Sequence, residues 1–164
     1  WLPWMMSWRG CRFQKRMEGK AMSERQVIYS FLHDGETMIT DPNGAVAVSL
    51  GIIGIPYDYK GMPIISVDRD PLDGRTEFSS EDEIVPLVSN DDIDEKIAEF
   101  LAVERIKGIK PFLRSDDSVI WLQKKFLHLF TGNLRFFQDD DKESPVIVTT
   151  THGSVIGAIM PFLN

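Results

Sequence analysis

Val27-Ile28-Tyr29-Ser30-Phe31-Leu32-His33-Asp34-Gly35-Glu36-Thr37-Met38-Ile39-Thr40 decides how the body of this chain is read. Residues 27–32 are rich in β-branched and aromatic side chains. Alternation puts Val27, Tyr29 and Phe31 on one face and Ile28 and Leu32 on the other. Asp34-Gly35 then separates this run from Thr37–Thr40. A two-residue Asp-Gly link is a strong hairpin signal, because both turn positions need a positive φ. The stretch therefore predicts two antiparallel strands.

The pattern continues downstream. Asp41-Pro42-Asn43-Gly44 is a second turn, with Pro fixing φ and Gly taking the left-handed region. The apolar run Ala45–Ile55 follows, and its Gly51 and Gly54 predict a bulge or bend. A turn near Lys60-Gly61 leads into a strand over Pro63–Val67. Successive tight turns imply antiparallel neighbours and exclude a parallel βαβ arrangement in this half. Residues 68–83 read as a long acidic loop outside the core, with a turn at Asp73-Gly74. Glu83–Val88 reads as a short strand, which Pro86 assigns to an edge.

Two helices are expected next. Asn90 or Asp91 caps one that runs to about Lys107, with Ile93, Ile97, Phe100 and Leu101 as its apolar stripe and Gly108 just past its end. Ser115 caps the second, where Val119, Leu122, Phe126, Leu129 and Phe130 fall on one side and Gly132 ends the run. Three strands close the chain: Asn133–Gln138, Val146–Thr151 and Ser154–Met160, the last two joined near His152-Gly153. The expected fold class is α+β over residues 22–164. It comprises a β-meander, two helices and three further strands in a mainly antiparallel sheet, with the helices packed on one face.

Composition sets bounds on function. The chain has 164 residues, 43% of them hydrophobic and 26% charged, which fits one globular domain. Cys11 is the single cysteine, so neither an internal disulfide framework nor a zinc site of several thiolates can form. The longest nearly apolar stretch, Ala45–Pro56, is too short to span a bilayer. Net charge is −7, yet residues 1–21 hold Arg9, Arg12, Lys15, Arg16 and Lys20 against Glu18 alone. The body is thus acidic and repels phosphate backbones, so no nucleic-acid partner is expected.

The leading segment carries Trp1, Trp4 and Trp8 before its basic cluster, the reverse of a secretory signal. It reads as sequence upstream of a natural start at Met22, a transit-type peptide, or the stub of a membrane segment. It is expected to stay off the folded body.

Three constellations could carry chemistry. Ile64-Ile65-Ser66-Val67-Asp68-Arg69-Asp70 is an apolar strand ending in two carboxylates, which could hold Mg²⁺ or Mn²⁺. Over these seven residues it resembles haloacid-dehalogenase-type phosphatases and many nucleotide-sugar transferases. Those families place the pair in a different topology, and Pro71 and Leu72 depart from the phosphatase pattern. A third carboxylate would have to come from Asp73, Glu77 or Asp139–Asp141. The plain alternative is an acidic surface loop.

Thr149-Thr150-Thr151-His152-Gly153-Ser154 brings hydroxyls close to an imidazole, but alternate strand residues point to opposite faces. On the expected second helix, Trp121, Lys124, Lys125 and His128 share the face opposite the apolar stripe. Trp is favoured at interaction hot spots, so this strip is the candidate binding surface; the plain alternative is a ring lying on lysine stems. His33, His128 and His152 are dispersed and form no spaced metal motif, and Gly51-x-x-Gly54 lacks the context of a phosphate loop.

The sequence is read as a small cytoplasmic accessory or regulatory domain. It would bind a protein partner or a second copy of itself, with no cofactor and no membrane role for the body. The alternative is a metal-dependent hydrolase or transferase using Asp68 and Asp70.

Overall fold

The computed structural model describes residues 26–87 and 108–162. The basic extension over 1–21 and the helix expected over 91–107 lie outside the described residues. Ten strands lie among them: β1 Ile28–His33, β2 Glu36–Thr40, β3 Val46–Ser49, β4 Ile64–Ser66, β5 Glu83–Pro86, β6 Ile109–Leu113, β7 Val119–Gln123, β8 Leu134–Phe137, β9 Val146–Thr150 and β10 Val155–Ile159. Helical structure among the described residues is one turn, α1 at Lys124–Leu127, and two 3-10 turns at Tyr57–Tyr59 and Ser80–Asp82.

The strands form one mixed sheet in the order β4-β1-β2-β3-β10-β9-β8-β5-β6-β7. The α+β expectation is therefore corrected: the described body is mainly β, not a sheet with two packed helices. Local turn chemistry is expressed in the backbone. Asp34 and Gly35 both adopt positive φ (48° and 79°) and close the β1–β2 hairpin with His33 opposite Glu36. Gly44 at φ 67° ends the Asp41 turn, and Gly153 at φ 88° ends the turn before β10.

Three other expectations fail for identifiable reasons. β4 pairs with β1 in parallel, Ile28 opposite Ile64 and Ser30 opposite Ser66, because residues 50–63 cross over before the chain returns. β5 is not an edge. Glu83 and Ile84 pair with β8, while Val85 and Pro86 pair with β6, so the strand is shared and changes partner between Ile84 and Val85. The second helix is replaced by a hairpin. Arg114 N–H donates to Ser118 O, Asp117 takes φ 65°, and β7 pairs along β6 with Phe112 opposite Ile120 and Pro111 opposite Trp121. The β-branched and aromatic run Val119-Ile120-Trp121 suits that pleated surface better than a helix. Only its tail, Lys124–Leu127, is helical.

Alternation sorts the core into two faces. Ile28, Ile39, Val46, Val48, Val146, Val148 and Ile159 lie on the first, where Phe112, Ile120, Leu122, Phe126 and Phe130 join them. The sheet curls over this face: past β10, Phe162 N–H reaches Trp121 O at 2.7 Å on β7. Tyr29, Phe31, Met38, Ala47, Ile147, Ala158 and Met160 form the second face with Leu72.

Leu72 overturns the reading of 68–83 as an excursion outside the core. Its side chain is 0% exposed, and half-buried Phe78 stacks on Phe137 with centroids 5.4 Å apart. An apolar sheet face needs a cover, and here irregular chain supplies it.

Candidate functional site

The two carboxylates singled out in the sequence part company. Asp68 is exposed, while Asp70 is partly buried and committed. One Asp70 oxygen accepts the Leu72 N–H at 2.9 Å, forming the small turn that aims Leu72 inward. The other lies 2.7 Å from His33 Nδ1. His33 is buried at the end of β1, on the face that carries Tyr29 and Phe31. Its Nε2 is buried with no hydrogen-bond partner among the described residues and sits 3.5 Å from the Asp34 carboxylate. This Asp–His pair joins residues 37 apart, and sequence reasoning missed it. The one hint is a histidine in place of an apolar residue just before a hairpin turn. Among the described residues, no three His, Cys, Asp or Glu side chains gather as a metal ion would require.

The strip Trp121, Lys124, Lys125, His128 is rearranged rather than dispersed. Trp121 belongs to β7, so its helical spacing to Lys124 and Lys125 does not exist. Within α1, His128 N–H donates to Lys124 O at 3.0 Å, which keeps Lys124, Lys125 and His128 on one turn. Lys125 and His128 are exposed; Trp121 and Lys124 are half-buried. The Lys125 ammonium lies 4.9 Å from the Phe126 ring centroid.

Lys125 also bears on Asp41, which sequence reasoning treats only as a turn residue. Asp41 is buried, and its carboxylate accepts N–H groups of Ala45 (2.6 Å), Val46 (3.0 Å) and Asn43 (3.3 Å). Burial raises its pKa above the ordinary carboxylate value; the three N–H groups and Lys125 oppose that rise without cancelling it. The nearby Tyr59 hydroxyl is pushed up to about 12, first by burial and then by the Asp41 and Asp58 carboxylates.

A raised carboxyl pKa means that the folded state holds a proton the unfolded chain has already released. The resulting stabilisation is present at acid pH and is lost as pH rises through the folded value. Asp41→Asn keeps an oxygen for Ala45 and Val46 but cannot ionise. Its stability relative to the parent should therefore increase from pH 4 to pH 7. Asp41→Ala, which strands three N–H groups, should cost about 3 kcal/mol. Urea melts at the two pH values check both, and a difference between parent and Asp41→Asn that is independent of pH would contradict the assignment.

A cleft of about 80 Å³ lies between the β6–β7 turn and residues 138–140. Buried Arg114 anchors it, donating to Gln138 Oε1 and to the carbonyls of Asp139 (3.0 Å) and Asp140 (2.9 Å). Gln138 in turn donates to the carbonyls of Lys142 and Ser144 at 3.0 and 2.8 Å. These bonds explain how a run of acidic residues at 139–141 is held in shape: the guanidinium takes backbone carbonyls of that run rather than its carboxylates. Arg114 Nε has no hydrogen-bond partner among the described residues and lies 3.5 Å from Asp116. The space suits a few water molecules and falls well short of the roughly 300 Å³ or more that a drug-sized ligand requires.

Across β5 and β8, Glu83 and Arg135 make a two-pronged ion pair at 2.9 Å on each arm, which holds Glu83 below its usual carboxylate range.

The threonine–histidine constellation is not assembled. Thr149 is buried and its hydroxyl donates to Thr150 O; Thr150 Oγ1 accepts the Ser154 N–H; His152 is exposed in the turn. No helix among the described residues is long and apolar enough to cross a membrane. Comparison with family models, curated proteins and solved structures finds no match for the chain.

Proposed function

We propose that this is an accessory or regulatory domain that works by binding a protein, through the surface made by β7 and α1. The observation that carries the reading is local. A tryptophan on an outer strand leads directly into a turn bearing Lys124, Lys125 and His128, on a chain whose net charge is −7. A tryptophan followed within four residues by two lysines suits an acidic partner segment, with charge steering the encounter and Trp supplying contact area.

Asp68 and Asp70 lend less support to metal chemistry, because Asp70 is occupied by His33 and the Leu72 N–H.

The experiment is site-specific photo-crosslinking in cells, with the reactive group at Lys125 and, as control, at exposed Lys142 in the 139–144 turn. A discrete adduct at 125 is expected and none at 142. The adduct should vanish in Trp121→Ala at unchanged stability, and it should weaken as salt is raised in the purified complex. Equal adducts at both positions, or an adduct indifferent to Trp121→Ala, would remove the proposal.

A further inference from the structure

We propose that residues 67–79 form a detachable strap over the second sheet face, and that the His33–Asp70 hydrogen bond is its latch. The inference does not depend on the β7–α1 surface.

The strap is fastened at few points. Val67 N–H donates to Ser30 O at 2.8 Å, where the chain leaves β4. Asp70 meets His33 at 2.7 Å. Pro71 and Leu72 are buried, and Phe78 stacks on Phe137 at the far end. Between these points Asp73, Gly74 and Glu77 are exposed. The backbone bonds of this stretch are those of two overlapping turns, Asp73 N–H to Asp70 O and Arg75 N–H to Leu72 O.

The strands beneath are bound into the sheet by ladders on either side of β10, the one with β9 shifting register between Val155 and Gly157. A segment with few buried side chains, lying on a ladder with many, opens by itself well before the ladder does. Opening would uncover Tyr29, Phe31, Met38 and Ile147, an apolar surface that the closed strap hides.

His33 is the element best placed to govern this opening. It sits on the sheet, and among the described residues its hydrogen-bonded side-chain partner belongs to the strap. The charged groups around it are Asp34 on its own turn, Glu36 opposite it on β2 and Asp70 on the strap. Two carboxylates thus contact the imidazole, Asp70 at 2.7 Å and Asp34 at 3.5 Å. Leu72 fills space but gives no directional hold, whereas the Asp70–His33 bond fixes where along the sheet the strap sits.

The test is native-state hydrogen exchange on the full chain, read as peptides covering 67–79 and 146–159, in the parent, Asp70→Asn and His33→Gln. The Asp70→Asn side chain keeps an oxygen for the Leu72 N–H, so this variant addresses the latch and leaves the turn. Trypsin cleavage after Arg75 gives a second readout of the same opening. The expected result is a tenfold or greater acceleration of exchange and cleavage in the strap of both variants, with β9 and β10 unchanged. Equal acceleration in the strap and in β9–β10 would overturn the proposal, since strap and sheet would then unfold together. So would no acceleration in either variant.

Discussion

Gly157→Ala is expected to destabilise the protein by about 3 kcal/mol, a large effect for adding one methyl group. Gly157 lies in β10 between Val48 of β3 and Val148 of β9. A Cβ there would overlap two atoms of the Phe130 ring and stand 2.5 Å from the carbonyl oxygen of Ala47. The ring could turn away at some cost. The carbonyl belongs to the neighbouring strand and cannot move without disturbing the β3–β10 ladder. Close approach is thus the reason for glycine at this position, whose φ is not in the left-handed region. Phe130→Leu in the Gly157→Ala background should recover part of the loss and leave the share due to Ala47, which a double-mutant cycle by urea denaturation separates. A cost below about 1 kcal/mol for Gly157→Ala would mean that neither the Phe130 ring nor the Ala47 carbonyl stands against Gly157.

Leu72→Ala should cost about 3 kcal/mol, within the range for a buried leucine in a well-packed site. Leu72 is 0% exposed among Tyr29, Phe31, Met38, Ala47, Ile147, Ala158 and Met160. Sequence alone leads to the opposite expectation, because a leucine in a solvated acidic loop changes stability by no more than about 0.5 kcal/mol when truncated. Chemical denaturation of this one variant therefore separates a loop that belongs to the core from one that does not.

The features legible in the sequence are those set by neighbouring residues. Asp34-Gly35, Asp41–Gly44 and His152-Gly153 each carry their own conformational demand, and the structure places a turn at each. Strands β1, β2, β8, β9 and β10 are legible because each is a run of strand-forming residues set between turn signals. The expected second helix fails because Val119, Leu122, Phe126, Leu129 and Phe130 satisfy helical spacing by coincidence. Val119 starts a strand, while Phe126 and Phe130 lie beyond it in and after α1, yet Leu122, Phe126 and Phe130 all belong to the same core. Spacing records which residues face inward but not which backbone brings them there.

The loop 68–83 misleads for a related reason. Its charge is real and its exposed residues are many, but Pro71, Leu72 and Phe78 are enough to seat it, and no local signal marks three apolar residues as a cover. The parallel pairing of β4 with β1 and the His33–Asp70 contact depend on the crossover through residues 50–63, which only the assembled sheet reveals. Of the candidate strip, Lys124 and Lys125 lie in α1 and His128 caps it, while Trp121 lies in β7.

Two features hold this fold together: the β6–β7 hairpin and the closure of the second sheet face by Leu72. Nuclear Overhauser contacts in the labelled protein test them most directly. Cross-strand contacts between Phe112 and Ile120 are expected, together with contacts from the Leu72 methyl groups to Tyr29 and Ala158. A run of i to i+3 contacts from Asp116 through Phe130, with the Leu72 methyls touching nothing on the sheet, would contradict them.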